Sequence, residues 1–288
     1  MPIGSSSIEP KDRPVIIVGS KEGIQQLAWK LGTKSIAIST INPLRPFFNF
    51  KDHSIFLDVI KGITASNSEE QLLSMLGVLE KVLDIKHKIY WYDYSDAVRF
   101  FTFDIGHTPR ECEILLQHPI NQDRYVIAST YSRRISREKE AAFRQLAAAL
   151  GAKELRLVNA EIKEKRGFLG SSISFQQAAA QVGVSADFDQ SGNLVKKVYS
   201  RFGKPNFLPS IPIDLQCWVD SDPDLQTMAY GRIKANLEYD RVNLEFRETM
   251  GIGGEIAAKV GSRGFDFAGK YEQVFHSVWQ YEIEYWSK

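Results

Sequence analysis

At 288 residues, 43% hydrophobic and 25% charged, the chain has the composition of a folded protein rather than a disordered one. Its 36 basic and 35 acidic residues leave a net charge of +1, which excludes a global field drawing it to nucleic acid or anionic membrane. Two cysteines, Cys112 and Cys217, are too few for a disulfide framework or a cysteine-rich zinc site, and imply a reduced, cytoplasmic setting.

The first thirteen residues are polar and lack the apolar core of a secretory signal. No apolar run approaches the roughly 20 residues of a membrane-spanning helix, so no transmembrane segment is expected. The first regular segment runs from Pro14 to Ser39. It predicts a strand (Val15 to Val18), a glycine turn (Gly19 to Gly23), a helix, and a second strand at Ile36 to Ile38. Ile24, Leu27, Ala28 and Leu31 form one apolar stripe on that helix. A connection of about sixteen residues suits a right-handed crossover and a parallel pair.

An aromatic- and proline-rich loop (Asn42 to Phe50) precedes a helix opened by Ser68 and Gln71 at capping-box spacing. Its apolar face comprises Leu72, Met75, Leu76, Leu79, Val82 and Leu83. Strands are expected at 88–94, 113–117 and 124–129, the last two joined by a Pro119-containing loop. A helix near Ile135 to Leu150 and a strand at Glu154 to Ile162 follow.

Beyond Lys163 a charged stretch and Gly170-Ser171-Ser172 mark the expected boundary. The second part alternates as strands over 194–202, 242–246 and 278–286, with helices near 224–236 and 255–260. The fold class expected is therefore an α/β N-terminal domain, residues 14–165, with a partly parallel sheet and flanking helices. An α+β, largely antiparallel C-terminal domain occupies residues 170–288.

Ligands in parallel sheets bind outside the carboxyl ends of the strands, which is where Gly19, Ser20 and Lys21 lie. Free N–H groups at a helix start favour an anion, Ser20 adds a hydroxyl, Lys21 a charge, and Gly19 allows close approach. The turn is neither G-x-G-x-x-G nor a P-loop, and a tight turn without a ligand is its simpler explanation. The stretch PVIIVGSKEGIQQLAWKL resembles the opening of TIR-like nucleotide-binding domains. That resemblance implies a nucleotide-binding α/β unit over less than a tenth of the chain. No matching catalytic glutamate is evident further along, so no activity is carried over.

Other motifs have simpler readings. Asp187 to Leu194 copies the first half of an EF-hand loop, but Val198 stands where the bidentate glutamate belongs, which leaves a polar turn. Asp220, Asp222 and Asp224 are explained by helix capping, with Asp222-Pro223 as cap and first turn. His53, His87, His107, His118 and His276 have no zinc-motif spacing, so neither metal nor cofactor is expected. Glu161-Ile162-Lys163 lacks the second acid of a nuclease, and Gly251 to Gly254 reads as a connection. Arg133, Arg134, Arg137, Lys139 and Arg144 read as a solvated basic face, or one for an anionic partner. Ser171 to Ala186 resembles the soft amphipathic segments that pore-forming proteins unfold into hairpins; a packed strand pair or a helix is the ordinary alternative.

The function expected is a non-catalytic ligand- or partner-binding effector that senses through its N-terminal part, its partner an anionic small molecule or a protein. One alternative is an enzyme acting on a nucleotide-like or other anionic substrate at the edge of the first sheet. Another is an effector that inserts into membrane.

Overall fold

The structure, a computed structural model, describes residues 14–27, 68–83, 88–104, 106–166, 199–246 and 274–287. It is broadly α/β, with one mixed sheet flanked by helices and one antiparallel sheet. By contacts, the described residues fall into two units, 14–129 and 130–246 with 274–287.

In the first unit, four consecutive branched residues form β1 (Val15–Val18), each at most 1% exposed. An all-apolar run has no face for solvent, so it needs neighbours on both edges and cover on both faces. β1 pairs in parallel with β2 (Ile89–Tyr92) and antiparallel with β4 (Glu113–Gln117). With β3 (Thr102–Phe103) and β5 (Arg124–Ile127), the order is β2-β1-β4-β5-β3. The parallel partner expected at Ile36 to Ile38 lies outside the described residues.

Residues 21–27 form α1, whose Ile24 is fully buried. α2 (Ser68–Leu83) buries Leu72, Met75, Leu76 and Leu79, the expected i, i+3, i+4, i+7 stripe. A short helix, α3 (Tyr94–Phe100), was not expected from the sequence. Its signal is local: Asp93 accepts from Asp96 N–H as N-cap, and Ser95 adds its hydroxyl. The backbone bond from Asp96 chiefly holds the Asp93 carboxyl below its usual range. Tyr92 meets Phe101 edge-to-face and Phe101 lies tilted against Tyr125, with ring centroids 4.9 and 4.5 Å apart. The β4–β5 loop closes on buried His118, whose Nδ1 accepts from Ile120 and Asn121 N–H at 3.1 and 3.0 Å.

The second unit opens with α4 (Tyr131–Ala149), which ends at Gly151, φ +81°. That left-handed turn suits glycine and feeds directly into β6 (Ala152–Arg166). β6 pairs along its length with β9 (Val274–Tyr285), and β7 (Tyr199–Arg201) and β8 (Tyr239–Glu245) flank them, in the order β7-β6-β9-β8. The expected division at 165–170 and the observed grouping differ. α4 and β6 group with the second unit because β6 hydrogen-bonds to β9 and β7. Register shifts after Ala152, Leu157 and Ile162 each add one residue on the β6 side.

Trp279, Tyr281, Ile283 and Tyr285 all face inward, as their alternation predicts, with at most 3% exposure. Below the sheet lie α5 (Gln216–Ser221), preceded by a 3-10 turn at Ile213–Leu215, and α6 (Pro223–Ala235). Asp222 caps α6 through the N–H groups of Asp224 and Leu225, and Pro223 takes the first position. Lys139 corrects the reading of a solvated basic face. It is fully buried and pairs with Asp222 at 2.5 Å.

Glu140, beside it on α4, is buried against the Tyr281 hydroxyl, which donates to Oε1 at 3.4 Å. Desolvation raises its pKa, against smaller lowering by Arg144 and that hydrogen bond. A carboxylate with a raised folded pKa penalises the native state once ionised. The penalty is absent below the unfolded pKa and complete above the folded one. Glu140→Gln is therefore expected to raise the melting temperature at pH 7. The difference from wild type should vanish as pH falls below about 4. Paired melts between pH 4 and 8 check this; a difference that grows on acidification overturns it.

Candidate functional site

The site is assembled at the end of the first sheet where β1 and β2 finish and antiparallel β4 begins. Gly19 follows β1, and its N–H donates to Tyr92 carbonyl at 3.1 Å while its carbonyl accepts from Trp91 Nε1 at 2.7 Å. Both bonds fix the turn to the adjacent strand. Asp93 lies at the end of β2 in the same tier.

The group that completes the turn comes from 91 residues away. Glu111 Oε1 accepts from Ser20 N–H at 2.8 Å and from Ser20 Oγ at 2.7 Å. Ser20 Oγ in turn accepts from Gly23 N–H at 3.0 Å, and Ile24 N–H closes the first helical bond to Ser20 carbonyl. The place reserved by sequence reasoning for an external anion therefore holds the chain's own carboxylate.

This close approach also explains the glycines. A Cβ on Gly23 would lie 1.9 Å from Glu111 Oε1, and one on Gly19 2.8 Å from Cys112 N. Gly19 has no room for a side chain against that backbone, whereas a side chain at Gly23 would have to displace the Glu111 carboxylate. Cys112 itself has φ +59°, a conformation uncommon outside glycine, and it turns the chain from Glu111 into β4. Lys21 Nζ lies 5.9 Å from the Trp91 ring centroid, so its charge hangs over the edge of β2. His107 Nε2 meets buried Glu113 at 2.8 Å, and Glu113 also accepts from Arg110 N–H. Asp104 pairs with Arg124.

Gly19, Ser20 and Lys21 thus converge with Glu111, Cys112 and Trp91, the last three not singled out as partners by the sequence. No sequence signal joins Ser20 to Glu111; only the β1–β4 pairing does. Among the described residues, no group of three His, Cys, Asp or Glu side chains is placed to hold a metal ion. Asp187 to Leu194, Gly251 to Gly254, His53 and His87, with the side chains of Glu161, Lys163 and His276, lie outside what is described. In the second unit a groove of about 480 Å³ is lined by Ile211, Val219, Asp220, Tyr230, Ile233 and Lys234. Asp220 there already accepts from Gln216 at 2.8 Å.

No known protein family, curated protein or solved structure matches the chain. Among the described residues, no helix is long and apolar enough to cross a membrane.

Proposed function

We propose that the chain is a non-catalytic effector in two parts, the first sensing a small ligand and the second responding. The observation that carries the sensing role is the Ser20–Glu111 pair at the carboxyl edge of β1. A solvent-facing carboxylate and hydroxyl are set there in the turns that follow β1 and precede β4, at a position where such sheets take ligands. Glu111 is suited to hydroxyl donors, and Lys21 to an anionic group. A molecule carrying both, such as a nucleotide, fits this pairing better than a bare anion, which Glu111 and Glu22 would repel.

The test is thermal stabilisation by a panel of nucleotides. A ligand at 100 times its dissociation constant adds roughly 2.7 kcal/mol to stability. Lys21→Ala and Glu111→Gln should each weaken binding roughly ten-fold or more, since each removes a charge-assisted contact. Lys21→Ala should leave the unliganded melt nearly unchanged. Binding that survives both substitutions unaltered, or a bound ligand far from this turn, overturns the reading. Release of a cleaved nucleotide product would instead favour the enzymatic alternative at the same edge.

A further inference from the structure

We propose that two copies of the chain pair through the outer face of α6, with the two helices antiparallel and crossing at Tyr230. The inference concerns the second unit and is independent of any ligand at Ser20 and Glu111.

α6 has one covered side and one open side. Leu225, Met228, Ala229 and Arg232 are buried. The stripe opposite them steps through Gln226, Tyr230 and Lys234 at i, i+4 and i+8, with Thr227 and Ile233 beside it. The outer stripe of a helix covered on one side is ordinarily polar throughout. Here its centre is a tyrosine that is 68% exposed. The groove described above runs along this stripe, and Ile211 and Val219 add to its apolar lining. The segment that supplies Ile211 also carries Leu208 and Ile213, 82% and 89% exposed, so apolar surface continues along it. An apolar centre with charged groups at its margins is the composition of a protein-docking face.

The charges say which protein. Gln226 donates to the Asp220 carbonyl at 2.9 Å, which holds the end of α5 beside the start of the stripe. Lys234 lies eight residues beyond Gln226, about 12 Å along the helix. The groove, which both residues line, therefore has a carboxylate toward the start of α6 and an ammonium toward its end. α6 repeats that order in its own terminal turns, with Asp224 in the first and Lys234 in the last.

A two-fold axis through Tyr230 sets Gln226 opposite Lys234 of the second copy, and Thr227 opposite its Ile233. Each Lys234 then reaches Asp220 of the other copy, twice over by symmetry. The two Tyr230 rings pack at the axis, and the antiparallel helix dipoles attract. A parallel alignment would instead set lysine against lysine. The stripe carries both halves of each contact at equal steps from Tyr230. An isologous interface requires that arrangement, and a face for an unrelated protein does not.

Sedimentation velocity on the full chain should show a monomer–dimer equilibrium in the micromolar range. Tyr230→Asp should raise the dissociation constant at least about thirty-fold, the loss of a central aromatic anchor. Lys234→Glu and Asp220→Lys should each raise it about ten-fold, because each sets like charges together. Combining those two in one chain exchanges the signs, and should return the constant to within about three-fold of wild type.

Crosslinking gives a second reading that needs no charge reversal. In a chain with Cys112→Ser and Cys217→Ser, the probe is a bismaleimide of about 8 Å span, the separation of packed helices. Gln226→Cys and Lys234→Cys chains should crosslink when mixed and remain monomeric when each is treated alone. A monomer at every concentration overturns the proposal and leaves the groove to a small ligand or another protein. A dimer indifferent to Tyr230→Asp, a double variant no better than the single ones, or crosslinking within each cysteine variant alone overturns it too. None of these outcomes bears on the nucleotide assay, which reads the first unit.

Discussion

Lys139→Met should destabilise the second unit by about 3–5 kcal/mol, the cost of leaving a buried carboxylate without its partner. Lys139 is fully buried, lies 2.5 Å from Asp222, and also donates to Glu245 carbonyl. Its charge therefore joins α4, the cap of α6 and the end of β8 at one point. Asp222 must stay polar because it caps α6. In the double variant Lys139→Met, Asp222→Asn the amide oxygen keeps the cap and no charge is buried. Much of the loss should then be recovered. Urea melts of the two single variants and the double give the coupling. Additive losses would mean that the pair does not act as a pair.

A second large loss, roughly 3–5 kcal/mol, is expected for Arg232→Met. The Arg232 side chain is 2% exposed and donates to three backbone carbonyls: Leu150 at 3.0 Å, Leu237 at 2.8 Å and Trp286 at 2.5 Å. Its guanidinium also stacks 4.9 Å from the Tyr285 ring centroid. Leu150 and Leu237 follow the ends of α4 and α6, where carbonyls lack helical partners and carry partial negative charge. One cation thus satisfies two helix ends and the end of β9. Arg232→Lys should lose nearly as much, since an ammonium cannot fan out to three carbonyls in one plane. Equal stability of the Lys variant and wild type would show that charge alone is needed.

How much of this was legible in the sequence differs by element, for physical reasons. β1, α2 and β9 announce themselves, because an unbroken apolar run, a helical stripe and a strict alternation are each set by burial of local neighbours. β6 extends further than its pattern suggested. Its register shifts change which residues face inward, so a period-two reading loses phase partway along. α3 escaped notice because a short helix has too few turns for periodicity and depends on one cap. Lys139 looked like a solvated charge in a basic run. Only the tertiary arrival of Asp222, 83 residues later, makes its burial tolerable. Gly19, Ser20 and Lys21 were legible as a turn at a strand end. The carboxylate that completes it was not, since Ser20 and Glu111 are brought together by antiparallel pairing across the sheet.

The β6–β9 ladder also fixes an order of events during synthesis. Its two strands span 152–166 and 274–285, so the centre of the second sheet cannot close until residues 274–285 have left the ribosome, more than a hundred residues after β6. Among the described residues, every strand of the first sheet lies before Ala128, so those strands can pair while the rest is still being made. Pairings so distant in sequence are also slow to find, because closing the loop costs entropy before any contact rewards it. A nascent chain would therefore carry the paired strands of the first sheet ahead of an incomplete second sheet, with β6 waiting, edge exposed, for a partner not yet translated.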